Sequence, residues 1–81
     1  MFLTAGQIRA ARAFIGWSAR KLAERAKLGL STVQRVEAGE SITSANLDAI
    51  YRTMDKAGVV FIPENGGGAG VRLKKDSELP P

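Results

Sequence analysis

A short segment in the first half of the chain carries side chains suited to contacting DNA bases. At about 100° per residue, a helix here turns Val33 and Val36 to one side. The opposite stripe contains no acidic residue and consists of Leu30, Ser31, Gln34 and Arg35. Arg pairs bidentately with guanine, Gln pairs with adenine, Ser bonds to either, and an apolar side chain can contact the thymine methyl group. The stripe therefore predicts a helix whose exposed face approaches a nucleic-acid groove.

Two short helices with a three-residue break between them must position this stripe. Ser18 is a typical N-cap, and residues 19–26 are rich in helix-forming residue types. The break covers residues 27–29. The next helical pattern covers residues 30–38 and stops at Gly39, a residue type common at helix C-termini. The inner face of the earlier helix consists of Leu22, Ala23 and Ala26.

Apolar spacing predicts one further helix on each side of this pair. The first begins after a candidate N-cap at Thr4 and ends at Gly16, and its buried face comprises Ile8, Ala11 and Ile15. The last follows a polar loop, begins after a candidate N-cap at Ser44, and has a buried face comprising Leu47, Ile50 and Met54. The chain therefore predicts four helices up to residue 57.

After Gly58 the pattern changes to that of a β-hairpin. Residues 59–62 are β-branched or aromatic, 66–70 are rich in glycine, and 71–74 alternate apolar and basic residues. An isolated pair of short strands is marginal, because its edges stay open. Pairing with a second copy is one solution, and folding back on the chain's own helices is the other. The dimerisation hypothesis involves Val59, Val60, Phe61, Ile62, Val71 and Leu73. In that hypothesis, Val59, Phe61, Val71 and Leu73 pack on the helices while a strand edge joins the second copy, and truncation after Ala57 leaves a helical monomer.

Composition excludes several classes of protein. The 81 residues suffice for one domain and include no cysteine and no histidine, so disulfide scaffolds, zinc fingers and His- or Cys-based catalytic sites are excluded. No apolar run approaches a membrane span, and no signal peptide is evident. We therefore expect a cytoplasmic protein that is not an enzyme and needs no metal or cofactor.

The positive charge is concentrated in the N-terminal half of the chain. The net charge is +4, and residues 1–39 hold seven of the twelve basic residues but two of the eight acidic residues. A basic surface of this kind indicates a polyanionic partner.

The segment WSARKLAERAKLGLSTVQRVEAG resembles the helix-turn-helix of the phage-repressor and Cro-like family, also called the XRE family. The matching features include Trp17 followed by Ser18, and an ending of the form Arg-Val-Glu-x-Gly at residues 35–39. With the flanking helices, the resemblance covers roughly residues 4–57. The fold it implies is a mainly α, four-helix repressor-like domain, here with a C-terminal β-hairpin.

The resemblance also implies roles for individual residues. It assigns base contacts to the stripe Leu30, Ser31, Gln34 and Arg35. It implies phosphate contacts at Ser18, Ala19, Thr43 and Ser44. Neighbouring cations can add to these at Arg20, Lys21 and Lys27. It places a structural ion pair at Arg12 and Glu37.

Two departures from the family pattern leave alternatives open. The family usually has Gln where this chain has Ala19, and alanine offers only its backbone N–H. The break also differs, because the family usually has Gly, a β-branched residue and then Ser or Thr where this chain has Lys27, Leu28 and Gly29. A left-handed conformation at Lys27 would cost about 1 kcal/mol relative to glycine. Either Gly29 or Ser31 can cap the third helix, and Gly29 preserves the family's register.

These observations predict a homodimeric transcriptional regulator that binds double-stranded DNA, with repression the simplest mechanism. Residues 1–57 form the DNA-binding domain, 58–74 form a hairpin extension for dimerisation, and 75–81 form a flexible tail. The alternative is a protein-interaction module on the same fold, such as an antitoxin or an antiactivator, with a partner protein as its target.

Overall fold

The computed structural model describes residues 3–75 and contains the four helices and the hairpin that the sequence predicts. The helices are α1 (Ala5–Ile15), α2 (Ala19–Ala26), α3 (Leu30–Glu37) and α4 (Ser44–Lys56), and the strands are β1 (Val59–Ile62) and β2 (Gly70–Leu73). The mainly α fold with a C-terminal hairpin is therefore confirmed. Apart from Lys75, the predicted flexible tail at 75–81 lies outside the described residues. None of the helices in residues 3–75 is long and apolar enough to cross a membrane.

Local sequence signals set both ends of α1. The Thr4 hydroxyl accepts a hydrogen bond from the Gln7 N–H (3.0 Å), and Gln7 Oε1 accepts one from the Thr4 N–H (2.9 Å). This reciprocal capping box satisfies two N–H groups that the helix itself leaves free. Gly16 ends the helix with a left-handed φ of 69°, where glycine avoids the steric cost of a Cβ. Both predicted ends of α1 are confirmed.

The break between α2 and α3 runs from the C-cap Lys27 to the N-cap Gly29. Ser18 caps α2 by accepting a hydrogen bond from the Lys21 N–H (3.0 Å). Lys27 has a left-handed φ of 58° and is the only non-glycine residue with positive φ among residues 3–75. Gly29 is the N-cap of α3, so the alternative in which Ser31 caps the helix is wrong. Ser31 instead lies in the first turn of α3.

Two helix boundaries differ from the sequence prediction by one residue. Thr43, not Ser44, is the N-cap of α4, because its hydroxyl accepts the hydrogen bond from the Asn46 N–H (3.1 Å). Both residues carry hydroxyls and are adjacent in the chain, so residue type alone does not show which of them caps α4. Helix α3 ends at Glu37 with Ala38 as its C-cap, one residue earlier than predicted.

One apolar core joins the helices and the hairpin. Side chains with no exposed surface come from all four helices, and Val59 of β1 is only 1% exposed. The partly buried residues packed against this core include Trp17, Phe61 and Val71. The buried hydrophobic residues are Leu3, Ile8, Ala11, Leu22, Ala23, Ala26, Val33, Val36, Ile50, Met54 and Val59. The hairpin therefore packs on its own helices.

A single buried side chain fixes the hairpin on α1. Gln7 is 5% exposed, and its Nε2 donates hydrogen bonds to the carbonyls of Ile62 (2.9 Å) and Gly70 (3.0 Å). These two residues face each other as the pair nearest the turn of the antiparallel hairpin. At the other end of the hairpin, Lys74 Nζ lies 3.0 Å from the Asp55 carboxylate on α4. Helices α1 and α4 therefore hold opposite ends of the hairpin.

Two predictions for the hairpin need correction. The second strand is Gly70–Leu73, not 71–74, because Gly70 pairs with Ile62. Val59, Phe61 and Val71 pack on the core as predicted, but Leu73 is 46% exposed. Leu73 lies at the last pair of the ladder, on a strand with a neighbour on one side only, which leaves its side chain partly uncovered. Because Val59 belongs to the core, truncation after Ala57 removes core packing and does not isolate dimerisation.

Candidate nucleic-acid interface

Helix α3 presents the predicted polar stripe to solvent. Ser31, Gln34 and Arg35 are exposed, while Val33 on the opposite side is fully buried. Leu30 is half-buried and packs against the core, so only part of its side chain is free to contact a base. The stripe of hydroxyl, amide and guanidinium groups is therefore available for hydrogen bonds in a DNA groove.

The predicted ion pair between Arg12 and Glu37 fixes the position of α3. Arg12 Nε lies 2.7 Å from Glu37 Oε2, and Arg12 Nη2 lies 2.7 Å from Oε1, in a bidentate arrangement. The Glu37 side chain is 8% exposed and the Arg12 side chain 23% exposed. The hydrogen-bonded carboxylate of Glu37 raises the pKa of the Arg12 guanidinium. The Arg12 guanidinium therefore remains charged while the pair joins α1 to the end of α3.

Two further hydrogen bonds extend this contact. Arg12 Nη1 donates to the Trp17 carbonyl (3.1 Å), so the same guanidinium also holds the turn between α1 and α2. Arg9 Nη1 donates to the Glu37 carbonyl, one of the C-terminal carbonyls that α3 leaves unpaired. Helix α1 thereby fixes both the entry to α2 and the end of α3.

The N-terminus of α2 forms one edge of the interface. Ser18 and the predicted cation Arg20 are exposed, while Ala19 is half-buried and packs against the core. The ammonium of Lys21 lies 5.5 Å from the centre of the Trp17 ring. The free N–H groups of the first turn attract anions, so Ala19 can contribute its backbone N–H to a phosphate.

The other edge is a shallow polar groove beside α3. Arg35 and Thr43 contribute to its walls, and Ser44 follows at the exposed N-terminus of α4. Arg35 Nε lies 3.7 Å from Glu40 Oε1, but both side chains are more than half exposed, so this pair holds Arg35 weakly. The groove is lined by Thr32, Arg35, Ser41, Ile42, Thr43 and Asn46.

Lys27 lies apart from the other predicted phosphate contacts. It lines a separate groove between α2 and α4, together with Trp17 and three further basic side chains. This groove was not apparent from the sequence, because its two walls are more than twenty residues apart in the chain.

The roles of Gln7 and Arg9 were not predicted from the sequence either. For Gln7 a local signal exists, since the Thr-x-x-Gln spacing at residues 4–7 is typical of the capping box that orients its side chain.

No protein-family model matches the chain, and no curated protein matches it either.

Proposed function

We propose that this protein is a sequence-specific DNA-binding regulator of the XRE type that inserts α3 into the major groove. The observation that carries the proposal is the exposed stripe of Ser31, Gln34 and Arg35 on a helix held in place by the Arg12–Glu37 pair. A recognition helix needs this combination of free polar side chains and a rigid support.

In this proposal the two edges of the interface contact the DNA backbone. Ser18 and Thr43 cap α2 and α4 and are both exposed, so the N-terminal N–H groups of each helix lie at the protein surface. Backbone N–H groups at helix N-termini bind phosphate oxygens. Arg20 and Lys21 add positive charge at the α2 edge. These contacts fix the orientation of the protein, and Gln34 and Arg35 discriminate between bases.

The proposed mechanism is repression by a homodimer that occupies a promoter in the cytoplasm. Two recognition helices must reach successive turns of the major groove, about 34 Å apart, which a dimer achieves. The outer face of the hairpin is the proposed interface. Val60 and Ile62 alternate along β1 with the core-facing Val59 and Phe61, so they point away from the core. Both are apolar and only half-buried in the single chain, which leaves apolar surface for a second copy to cover.

Replacing Arg35 by Ala tests the assignment of base contacts. We expect Arg35→Ala to weaken binding to the specific site by about 1–3 kcal/mol and binding to random duplex by much less. Arg20→Ala is the matched control, since loss of a phosphate contact weakens both complexes by similar factors. Fluorescence anisotropy with both duplexes provides the measurement. Equal losses for Arg35→Ala on the two duplexes would make Arg35 a phosphate contact and refute its role in base discrimination.

Replacing Val60 by Lys tests the dimer interface without disturbing the core. We expect Val60→Lys to retain the helical signal, to sediment as a monomer, and to bind the specific site about 10²-fold more weakly, because the tethered second half-site is lost. Phe14→Lys is the control, since Phe14 is 54% exposed on α1 and lies outside the hairpin. A dimer that survives Val60→Lys but dissociates with Phe14→Lys would place the interface on α1.

A second candidate function is a protein-interaction module, such as an antitoxin or antiactivator. The observation in its favour is Ala19, whose methyl group packs against the core where the family usually presents a Gln side chain to DNA. In that case partner binding is the primary activity, and DNA binding is secondary or lost.

A further inference from the structure

The groove between α2 and α4 has a composition that DNA binding does not explain. We call it the α2–α4 groove. Its lining combines a tryptophan ring, three alanines and four basic side chains. The residues that line it are Trp17, Arg25, Ala26, Lys27, Ala49, Arg52, Thr53, Lys56 and Ala57. Apart from Lys27, none of them belongs to the proposed DNA interface.

The groove carries an excess of positive charge. Within residues 3–75, Arg25, Lys27 and Lys56 form no ion pair with an acidic side chain, and Lys27 and Lys56 are exposed. Arg52 is paired with Asp48 at 2.8 Å, and the Arg52 side chain is 69% exposed while that of Asp48 is 46% exposed. The guanidinium of Arg25 lies 5.8 Å from the centre of the Trp17 ring, which keeps this cation at the groove wall. An anionic occupant therefore meets three cations that have no acidic partner among residues 3–75.

The groove also offers apolar surface at its base. Ala26, Ala49 and Ala57 have short side chains, which allow an incoming chain to approach the helices closely. The half-buried Trp17 adds a large apolar surface beside them. A phosphodiester backbone has no apolar group to pack against such a surface. A peptide with acidic and apolar side chains can place its apolar groups on the alanines and Trp17 and its carboxylates beside the basic side chains.

We propose that the α2–α4 groove binds an acidic, partly apolar peptide segment of a partner protein. The acidic side chains of the peptide pair with Arg25, Lys27 and Lys56, and its apolar side chains lie on the alanines and Trp17. None of the groove residues lies on α3, so a partner can bind the groove while α3 remains free. The proposal stands independently of DNA binding by α3.

The single tryptophan makes occupancy of the groove directly measurable. Trp17 is the only tryptophan in the chain and lines the groove, so its fluorescence reports binding there. The probe is a short synthetic peptide without tryptophan in which Glu and Leu alternate. A peptide of Glu and Ser with the same charge tests how much the apolar side chains contribute to binding. A random-sequence DNA duplex tests whether a polyanion without apolar side chains also binds the groove. We expect saturable binding of the Glu-Leu peptide, with the Glu-Ser peptide bound at least tenfold more weakly.

Three variants separate the groove from the DNA interface. Lys56→Glu reverses a rim charge, and we expect it to weaken peptide binding on the order of tenfold while changing DNA binding little. Ala49→Leu fills the base without changing any charge and should weaken the Glu-Leu peptide by a similar factor. Arg20→Glu is the control with the same charge change outside the groove, and it should weaken DNA binding but retain the peptide. Thermal melting of each variant verifies that it folds.

The outcomes distinguish this proposal from the proposed DNA-binding function. Peptide binding that is lost with Lys56→Glu and Ala49→Leu supports the groove, whether or not the protein also binds DNA. Equal affinity for the Glu-Leu and Glu-Ser peptides would overturn the proposal, since the apolar base would then contribute nothing. Equal losses of DNA and peptide binding with Lys56→Glu would also overturn it, by making the groove part of the phosphate-binding surface.

Discussion

Replacing Glu37 by Gln should strongly destabilise the fold, because Glu37 forms a buried ion pair with Arg12. The amide has nearly the same shape but no charge, so Arg12 keeps its position and loses its counter-ion. Removing one partner of a buried ion pair costs about 3–5 kcal/mol, and the lower end applies because Arg12 is 23% exposed. For a domain of this size, about 3 kcal/mol lowers the melting temperature by more than about 10 °C.

Asp48→Asn is the matched control for this substitution. It breaks the Arg52–Asp48 pair, which has a similar separation of 2.8 Å but joins exposed side chains four residues apart on one helix. Such pairs contribute about 0.3–0.5 kcal/mol, so the expected change in melting temperature is a few degrees at most. Thermal denaturation of the two variants under identical conditions gives the comparison. A Glu37→Gln protein that melts like Asp48→Asn would show that the Arg12–Glu37 pair does not hold α3 in place.

The affinity for duplex DNA should fall steeply with salt concentration. A dimer that makes about six to eight phosphate contacts should give a slope of log K against log salt of about −5 to −7. Between 50 and 200 mM salt, such a slope corresponds to a loss of affinity of about 10³-fold or more. The cause is release of counter-ions from the DNA by side chains such as Arg20 and Lys21.

Titrations of two charge-neutralising variants assign this salt dependence to the interface. Arg20→Gln should reduce the magnitude of the slope by about 2, because a dimer loses one contact at each half-site. Lys56→Gln removes the same charge from the α2–α4 groove and should leave the slope unchanged. A wild-type slope near zero would eliminate DNA as the main partner and favour the protein-interaction module.

The helices were predictable because their determinants are local. Thr4, Gly16 and Ser18 are cap residues whose types and positions relative to the apolar pattern define helix ends. For Lys27, the sequence indicated only that a left-handed conformation would cost about 1 kcal/mol relative to glycine, and Lys27 adopts that conformation. Thr43 was missed as a cap because the neighbouring Ser44 has the same capping chemistry.

Features that depend on contacts between distant segments of the chain were harder to predict from the sequence. Gln7 contacts the carbonyls of Ile62 and Gly70, 55 and 63 residues away in the chain, and no local pattern indicates such a contact. Leu73 alternates correctly for the buried face of the hairpin, but its exposure depends on what covers the end of β2. Of the candidate interface, the exposed stripe on α3 followed from helical periodicity, and the Arg12–Glu37 pair followed from the family resemblance.

Selection of bound duplexes from a random pool tests the central claim most directly. The claim is that α3 recognises a DNA sequence through Gln34 and Arg35. It predicts that the wild-type protein enriches one sequence with two half-sites about 10 base pairs apart, and that Arg35→Ala loses the preference at one position in each half-site. A pool that shows no enriched sequence after repeated selection, or an enriched sequence that Arg35→Ala leaves unchanged, would contradict the assignment of α3 as the recognition helix.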